Sequence, residues 1–267
     1  MPFDRIALPL FVPATRMDRF AKASSSGADA VIVDLEDAVD PDAKDKARAS
    51  LLRDMPQHPE CPVLVRINAA DSPHFDADVD ACRGLPLVAI VLPKAEDPKV
   101  CADLSAQTGL PVIGLIESAR GLHHVHAVAQ ACGHLAFGSI DFAADLGLAH
   151  DQAPLLFARA QIILAARLNG QAAPWDGVTM AVNDEAAILQ DCRHSVAMGF
   201  GGKLIIHPAQ IAPARRGFAP TQEERDWAER VLEATRTSAA AIKVDGQMID
   251  APVIKRAEAI LARGTAA

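Results

Sequence analysis

Eight short apolar runs alternate with helix-prone stretches along most of this chain, and that alternation limits the fold more than any other feature. Each run is rich in β-branched residues and closes at a Pro, a Gly or a polar residue. Runs that are apolar throughout are typical of parallel strands buried on both faces. Eight βα units therefore predict an α/β fold of the (β/α)8 TIM barrel type, with a doubly wound open sheet as the alternative. The runs cover residues 6–12, 30–34, 63–67, 87–92, 112–116, 134–137, 175–180 and 203–206.

The end of the chain follows a different pattern. We expect residues 1–218 to form the barrel, which is the catalytic domain, and residues 219–267 to form a helical and hairpin extension. Residues 221–224 read as a capping box that starts a helix. Asp245-Gly246 is a tight-turn signal between two short extended pieces, and a last helix follows it. An extension of this size is too small for a full domain and is predicted to act as a lid or an oligomer-contact arm.

The charge balance excludes several classes of protein. Lys and Arg number 26 and Asp and Glu number 34, which gives a net charge of −8. Binding to nucleic acid or to an anionic membrane needs a basic face, so neither is expected. No apolar run approaches the ~20 residues that span a bilayer, and the first residues lack the basic start of a signal peptide, which predicts a cytoplasmic protein. The five cysteines are widely spaced without a CxxC motif and are expected to be reduced.

Acidic residues follow several of the predicted strands. In a parallel barrel the loops after the carboxyl ends of the strands form the active face. Glu36 and Asp37 follow the second strand, Glu117 ends the fifth, and Asp141 follows the sixth. Acids that converge on one barrel mouth repel one another unless a cation is shared, and oxygen ligands favour Mg²⁺ or Mn²⁺. We predict Glu117 and Asp141 as direct metal ligands, with Glu36 and Asp37 orienting metal-bound water.

Arg66 is the cation in the same set of strand ends. Its fork-shaped guanidinium suits a substrate carboxylate, and a metal beside it suits an α-keto acid whose carboxylate and keto oxygen chelate the ion. The alternative is structural, with Arg66 paired to Asp34 or Glu36. A strand-end acid such as Asp34 or Asp37 is also commonly a helix N-cap or a salt-bridge partner.

Several short motifs occur in order along the chain, from about residue 5 to residue 262. They read LFVP at 10–13, DLEDAV at 34–39, VRIN at 65–68, LPK at 92–94, IESA at 116–119, FG at 137–138 with Asp141, GFGGK at 199–203 and HPAQI at 207–211. Taken together, these motifs closely resemble the HpcH/HpaI aldolase and citrate lyase β-subunit family.

The resemblance implies a site at the barrel mouth. It implies a (β/α)8 barrel that binds Mg²⁺ through Glu117 and Asp141, with Mn²⁺ as the alternative ion, and in which Arg66 holds the keto acid. Backbone amides after the sixth strand would donate further hydrogen bonds to the substrate. These amides belong to Gly138, Ser139 and Ile140.

The resemblance also implies an activity. Family members cleave or condense CoA thioesters of hydroxy-carboxylic acids, which implies a Mg²⁺-dependent carbon–carbon lyase. Substrates of the citryl-CoA, malyl-CoA or citramalyl-CoA type would yield an acyl-CoA and a keto acid such as oxaloacetate or glyoxylate. Two alternatives stay open: malate-synthase-like or malyl-CoA thioesterase activity on the same site, and a non-catalytic subunit that binds acyl-CoA or a keto acid. A homotrimer or homohexamer is implied as well.

Three residues outside the strand ends complete the expected site. Asp250 resembles a family acid/base that reaches the site of a neighbouring subunit, and its alternative is an N-cap of the last helix. Ala14 stands where many members have Gly, as in stand-alone citrate-lyase-like proteins, which favours free coenzyme A over an acyl-carrier partner. Arg16 and Lys22 are the candidates for binding the phosphates of coenzyme A, with plain solvent exposure as their alternative.

Overall fold

The computed structural model describes residues 2–237 and 242–265. The first part of the chain is a barrel of eight parallel strands that pair in sequence order. The last strand meets the first, because the Phe11 N–H donates to the Ile205 carbonyl oxygen at 2.9 Å. The predicted TIM barrel is therefore confirmed. The strands are β1 (Pro9–Pro13), β2 (Ala30–Asp34), β3 (Val63–Arg66), β4 (Ala89–Leu92), β5 (Val112–Ile116), β6 (His134–Phe137), β7 (Trp175–Asp176) and β8 (Gly202–Lys203).

Helices connect the successive strands. They are α1 (Phe20–Ser24), α2 (Lys44–Asp54), α3 (Phe75–Cys82), α4 (Pro98–Thr108), α5 (Ala119–His123), α6 (Val125–Ala131), α7 (Ser139–Leu146), α8 (Leu156–Leu168), α9 (Glu185–Met198) and α10 (Ile211–Phe218). Local signals set several ends: the Asp97 side chain caps α4 by accepting from the Lys99 N–H at 2.8 Å. Gly147 ends α7 with a φ of 65°, a conformation that favours glycine. The apolar pattern does not predict α7, which follows β6 directly.

The barrel interior is a packed apolar core. Ile32, Leu64 and Val91, on three neighbouring strands, are almost completely buried. Burying a side chain of this size contributes about 1.5–3 kcal/mol to the free energy of folding. The inward-facing side chains fill the barrel interior, as in other TIM barrels. His134 is also buried there, against the Trp175 ring at 4.6 Å between centres. Burial lowers the pKa of His134 to about 4, which keeps the imidazole neutral at pH 7.

The chain divides into two compact units, Met1–Ala214 and Arg215–Ala267. In the second unit α11 (Gln222–Thr237) and α12 (Ala251–Thr265) pack together, and β9 (Ile242–Val244) pairs antiparallel with β10 (Gln247–Ile249). Asp245 and Gly246 join these strands with φ values of 51° and 79°, which confirms the predicted tight turn. The predicted boundary between residues 218 and 219 falls at the end of α10. Within residues 2–237 and 242–265, no helix is long and apolar enough to cross a membrane.

Candidate active site

Asp34 and Arg66 form the buried base of the site. They end β2 and β3 and lie opposite each other in the parallel register. The guanidinium donates from Nε to Asp34 Oδ1 at 2.8 Å and from Nη2 to Asp34 Oδ2 at 2.7 Å. Its central carbon lies 4.8 Å from the centre of the Phe11 ring. The sequence pattern predicts that the Arg66 guanidinium binds a substrate carboxylate. In the structure two of its nitrogens, Nε and Nη2, bind Asp34 instead, which is the structural pairing given as the alternative.

The remaining nitrogen of Arg66 meets the loop after β2. Nη1 lies 3.1 Å from Glu36 Oε2 and 3.2 Å from Asp37 Oδ2. Asp34 shapes this loop by accepting from the N–H groups of Glu36 at 2.9 Å and Ala38 at 3.0 Å. Burial opposes the charged form of Arg66, but Asp34 and the two loop acids outweigh it and raise its pKa. Nη1 already donates to Asp37, so a ligand that contacts Arg66 would share this nitrogen with the loop acids.

Glu36 lies between opposing electrostatic effects. Its Oε2 atom is buried and makes no hydrogen bond with any residue that the structure describes, although it lies near the Arg66 charge. Burial, opposed by Arg66 and reinforced by Asp37, raises the pKa of Glu36 to about 7. A carboxyl group with this pKa can take up or release a proton near neutral pH.

Glu117 follows β5 directly and is buried. Its Oε1 atom accepts from the Lys94 N–H at 2.8 Å. A Cβ atom at Gly138 would lie 2.5 Å from Glu117 Oε2, so only glycine leaves room for this carboxylate. Burial, reinforced by Glu36 and opposed by the Lys94 N–H, raises the pKa of Glu117 to about 8. The carboxylate is thus fixed in place but lacks the charge partner that its ionised form needs.

Lys94 is a further residue of the site, and the pattern of charged residues at the strand ends does not predict it. It follows β4 with a φ of 46°, in the left-handed region that residues other than glycine seldom adopt. Such backbone conformations concentrate at functional sites. Its side chain is exposed and lines a cavity beside Glu117. The available signal was the LPK motif at 92–94, which carries the family resemblance but does not predict a positive φ.

Asp141 is brought to Glu117 by α7. The side chain belongs to the first turn of this helix, and both carboxylates line the same two cavities. Burial, reinforced by Asp37, raises the pKa of Asp141. The two predicted metal ligands therefore line the same cavities, although Asp141 comes from a helix rather than from a strand end.

The start of α7 supplies fewer amide donors than expected. The Gly138 N–H donates to the Ile116 carbonyl oxygen at 2.9 Å, so it is used within the barrel. This corrects the expectation that the Gly138 amide donates to substrate. Ser139 and Ile140 occupy the first turn of α7, where backbone N–H groups have no partner within the helix, and both residues line the smaller cavity. The Ser139 hydroxyl lies 2.9 Å from His150 Nε2.

Two cavities meet at Glu117 and Asp141. The smaller cavity has a volume of about 360 Å³ and contains Arg66, Ser139 and Ile140 in its lining. The larger cavity has a volume of about 1000 Å³. Its polar lining includes Asp71, Lys94, Glu96, Asp97, Ser118, Arg120, His124 and Asp145. The two acids thus stand where a small ligand in one cavity and a longer one in the other would come together.

The other three predicted site residues lie elsewhere. Arg16 pairs with Asp18 through two hydrogen bonds of 2.9 Å, and Lys22 is exposed on α1. Neither lines one of the two cavities. Asp250 belongs to the second unit, where its Oδ1 atom accepts from the Val253 N–H at 3.2 Å at the start of α12. This contact is the N-cap alternative, and the role at a neighbouring subunit stays a prediction.

The site suits a hard cation by its donor chemistry. We call the residues Asp34, Glu36, Asp37, Arg66, Glu117 and Asp141 the acid-rich cluster, in which five carboxyl groups face one guanidinium. Glu36 has a buried oxygen without a hydrogen bond to the described residues, and Glu117 has a raised pKa, as expected for acids that lack a cation. Among the described residues no three His, Cys, Asp or Glu side chains are arranged to hold a metal. Mg²⁺ commonly takes one or two carboxylates and several waters, and Glu117 with Asp141 fits that need.

Sequence comparisons identify the family of this chain. The HpcH/HpaI aldolase/citrate lyase family matches residues 8–208. The citrate lyase subunit beta-like protein of Deinococcus radiodurans is 36% identical over 275 residues, which cover 94% of this chain and 95% of that protein. This chain belongs to the HpcH/HpaI aldolase/citrate lyase family. The mitochondrial citramalyl-CoA lyase of Rattus norvegicus is 30% identical over 292 residues, covering 96% of this chain and 85% of the rat protein.

A solved structure of the same family is also similar. The CitE protein of Mycobacterium tuberculosis, crystallised with magnesium, acetoacetate and coenzyme A, is 35% identical with a TM-score of 0.88. The similarity covers 97% of this chain and 98% of that one. The expectations of this family, of its barrel fold and of a lyase are thereby confirmed.

A second, largely buried charge cluster joins the ends of β7 and β8 to α8 and α9. Arg159 Nε donates to Asp176 Oδ1 at 3.1 Å, and Lys203 Nζ lies 2.8 Å from Asp191 Oδ2. The Ser195 hydroxyl also donates to Asp176 Oδ2 at 2.5 Å. We call Arg159, Asp176, Asp191 and Lys203 the balanced cluster, because two cations meet two carboxylates. None of these four residues lines either cavity.

Proposed function

We propose that this protein is a Mg²⁺-dependent carbon–carbon lyase that cleaves a CoA thioester of a hydroxy-carboxylic acid into an acyl-CoA and a keto acid. The observation that carries the proposal is the pair Glu117 and Asp141, two acids with raised pKa values at the meeting point of two cavities. The magnesium, acetoacetate and coenzyme A bound to the related CitE protein support the same class of ligands.

Glu117 and Asp141 would hold Mg²⁺ through carboxylate oxygens. The Lys94 N–H holds Glu117 Oε1, and the absence of a side chain at Gly138 makes room for the carboxylate. These two contacts would fix the Glu117 side chain in the position from which it binds the cation. When bound, Mg²⁺ would supply Lewis-acid polarisation of the keto group and would balance the negative charge of the reacting atoms.

The smaller cavity would hold the keto acid. Arg66 presents Nη1 there, and the first-turn N–H groups of Ser139 and Ile140 offer donors to a carboxylate. Because Asp34 holds the other edge of the guanidinium, the orientation of Nη1 is set before a ligand arrives. Arg66 would thus offer the substrate a hydrogen bond from Nη1 alone, shared with Asp37, where the sequence pattern predicts a two-pronged contact.

Cleavage requires one proton to leave the substrate hydroxyl and one to reach the carbon of the acyl product. The hydroxyl loses its proton as its carbon becomes the carbonyl of the keto acid, and the electron pair of the broken carbon–carbon bond passes to the thioester enolate. Protonation of that enolate gives the acyl-CoA. Glu36, whose pKa is about 7, and Asp37 would accept hydrogen bonds from water at the site and help to move these protons.

The remaining predicted residues enter as part of the same proposal. Asp250 would act as an acid/base at the site of a neighbouring subunit in a homotrimer or homohexamer. Arg16 and Lys22, both exposed, would bind the phosphates of coenzyme A. These roles are separable from the metal site, because their loss would weaken turnover or CoA affinity without changing Mg²⁺ binding.

An activity assay tests the proposal. Citramalyl-CoA, malyl-CoA and citryl-CoA are supplied in turn with Mg²⁺ or with a chelator, and acyl-CoA, keto acid and free CoA are measured. The proposal expects acyl-CoA and keto acid in equal amounts, only with Mg²⁺, and loss of at least about a thousandfold in Glu117→Gln. Free CoA as the main product would favour the thioesterase alternative, and no turnover of any of the three would favour a non-catalytic subunit.

A further inference from the structure

The smaller cavity is lined by both polar and apolar groups. We call Arg66, Glu117, Asp141 and the start of α7 its polar side. We use the name apolar side for the apolar lining residues Phe11, Leu115, Phe137, Val178, Leu204 and Ile206, several of which belong to or pack against the barrel core. Among the described residues that line the cavity, Arg66 is the one cation. A keto acid whose carboxylate and keto oxygen face the polar side would point its substituent at the apolar side.

The apolar side is held in place by Gln210. This side chain is buried, and its Oε1 atom accepts from the Ile206 N–H at 3.1 Å. Its Nε2 atom donates to the carbonyl oxygens of Thr179 at 2.7 Å and Ala181 at 2.9 Å. Gln210 therefore ties the segment after β7, which carries Val178, to the segment after β8. These hydrogen bonds hold Val178 and Ile206 in place, so the apolar side keeps its apolar surface towards the substituent of the keto acid.

Charge within the cavity points in the same direction. Asp34, Asp37, Glu117 and Asp141 are four acids in its lining, and the Arg66 charge is already shared by Asp34 and Asp37. A bound divalent cation adds a charge of +2 and the carboxylate at the head of the keto acid adds −1, which leaves a net gain of +1 in a cavity lined by four acids. A second carboxylate on the substituent would have to leave water and lie against apolar groups without a cation.

We infer that the keto acid of this enzyme carries a neutral, apolar or hydrogen-only substituent, so that the acid released is a monocarboxylate of the glyoxylate or pyruvate type. This inference rests on the proposed function and narrows its substrate class. Hydroxy-acid thioesters that release a dicarboxylate, as citryl-CoA releases oxaloacetate, are then the poorer substrates. Val178 and Ile206 are the residues that set this preference.

A pair of matched keto acids tests the inference by binding alone. Oxaloacetate and 4-methyl-2-oxopentanoate have the same head and nearly the same size, but one ends in a carboxylate and the other in a branched alkyl group. Calorimetric titration of the full chain with saturating Mg²⁺ is expected to show the alkyl compound binding at least about tenfold tighter than oxaloacetate. Oxaloacetate binding as tightly as its isostere, or tighter, would overturn the inference.

Ile206→Lys places an ammonium on the apolar side at a position that is partly open to solvent. We expect this variant to reverse the preference, with oxaloacetate gaining about tenfold in affinity and the alkyl compound losing affinity. Leu52→Lys, at an exposed position of α2 that lines neither cavity, is the control and should leave both affinities unchanged. An unchanged ratio in folded Ile206→Lys would overturn the assignment of the wall.

The failure of the inference and that of the proposed function give different results. If the proposed function is wrong, pyruvate, glyoxylate and both matched compounds all fail to bind with Mg²⁺. If only the inference is wrong, keto acids bind and the dicarboxylate binds as well as its isostere. The wild-type comparison needs no variant, so a folding defect in Ile206→Lys does not remove the test.

Discussion

The acid-rich cluster and the balanced cluster both hold charged residues at strand ends of one barrel, yet the pKa values of their carboxyl groups shift in opposite directions. Burial acts to raise the pKa of Asp191 in the balanced cluster, but Lys203 outweighs it and the pKa is lowered. In the acid-rich cluster Glu117 has no such cation, and its pKa is raised to about 8. The balanced cluster pairs two cations with two carboxylates, although Arg159 Nη1 and Lys203 Nζ make no hydrogen bond with the described residues. The acid-rich cluster has one cation for five carboxyl groups and therefore lacks positive charge.

Access separates the two clusters as well. The residues of the balanced cluster line neither cavity, whereas Glu117 and Asp141 line both. Charges that are paired and closed off hold structure, and charges that are unpaired and open to a cavity are suited to a ligand. Buried acids alone therefore do not mark a ligand site. Acids that lack a paired cation and line a cavity are suited to bind a ligand, whereas acids paired with cations away from the cavities stabilise the barrel.

The largest expected effect breaks the balanced cluster. Lys203→Met would leave the buried Asp176 and the partly buried Asp191 without their ammonium partner, at a cost of about 3–5 kcal/mol in the free energy of unfolding. Urea unfolding measures this loss. Lys99→Met, which removes an exposed lysine paired with Asp103, is the control and should cause no measurable change. A Lys203→Met variant as stable as wild type would show that this cluster does not brace the barrel.

The next effect concerns pH in the acid-rich cluster without metal. The pKa of Glu117 rises from 4.5 to about 8 on folding, so the folded state binds this proton more tightly than the unfolded state does. Stability from this group is therefore complete below pH 4.5 and is lost as the pH rises through about 8. The loss between pH 5.5 and 8.5 is about 3 kcal/mol. Urea midpoints between pH 5.5 and 8.5 in a chelator measure the slope. Glu117→Gln should flatten it, and an equal slope in the variant would count against an uncompensated Glu117.

A smaller effect concerns how Glu117 is held. Lys94→Pro removes the N–H that binds Glu117 Oε1 and cannot adopt the φ of 46°, so Mg²⁺ affinity should fall about tenfold or more. Lys94→Asn keeps the N–H in a residue that tolerates this φ and should bind Mg²⁺ as wild type does. Calorimetry on both variants, with thermal unfolding as the folding check, makes the comparison. Equal weakening in both would assign the effect to the ammonium instead of the backbone.

The smallest expected effect lies outside both clusters, at Asp250. Asp250→Ala removes the cap on the Val253 N–H and should cost about 1 kcal/mol, while Asp250→Asn keeps a capping oxygen. If Asp250 also acts at a neighbouring subunit, Asp250→Asn keeps its stability but loses turnover. Turnover equal to wild type in Asp250→Asn would leave the cap as the whole role of this residue.

The sequence predicts the location of the acids better than their partners. Regular βα alternation puts Glu36, Asp37 and Glu117 on one face of a barrel, and this holds in the structure. The pairing of Arg66 with Asp34 depends on the register between β2 and β3, which sequence spacing alone does not define. For that reason the Arg66 fork could not be assigned in advance to the substrate or to the protein.

Local backbone features account for the other misses. The run at 175–180 predicts a longer β7, but the strand ends at Asp176, and Gly177 follows so close to Ser139 that a Cβ atom would lie 2.0 Å from its hydroxyl oxygen. Helix α7 begins one residue after β6, and the single residue between them, Gly138, is too short a linker to mark a separate element in the sequence. The positive φ of Lys94 arises where Glu117 accepts its N–H, a tertiary contact that the sequence does not reveal.

We propose that the acid-rich cluster binds a divalent cation through Glu117 and Asp141. Isothermal titration of chelator-treated protein with Mg²⁺ at pH 8.5, where Glu117 is largely ionised, tests this binding. We expect wild-type protein to bind one ion, Glu117→Gln and Asp141→Asn to abolish the binding, and Asp191→Asn in the balanced cluster to leave it intact. Retained affinity in Glu117→Gln and Asp141→Asn, or an equal loss in Asp191→Asn, would show that these two acids do not hold the ion.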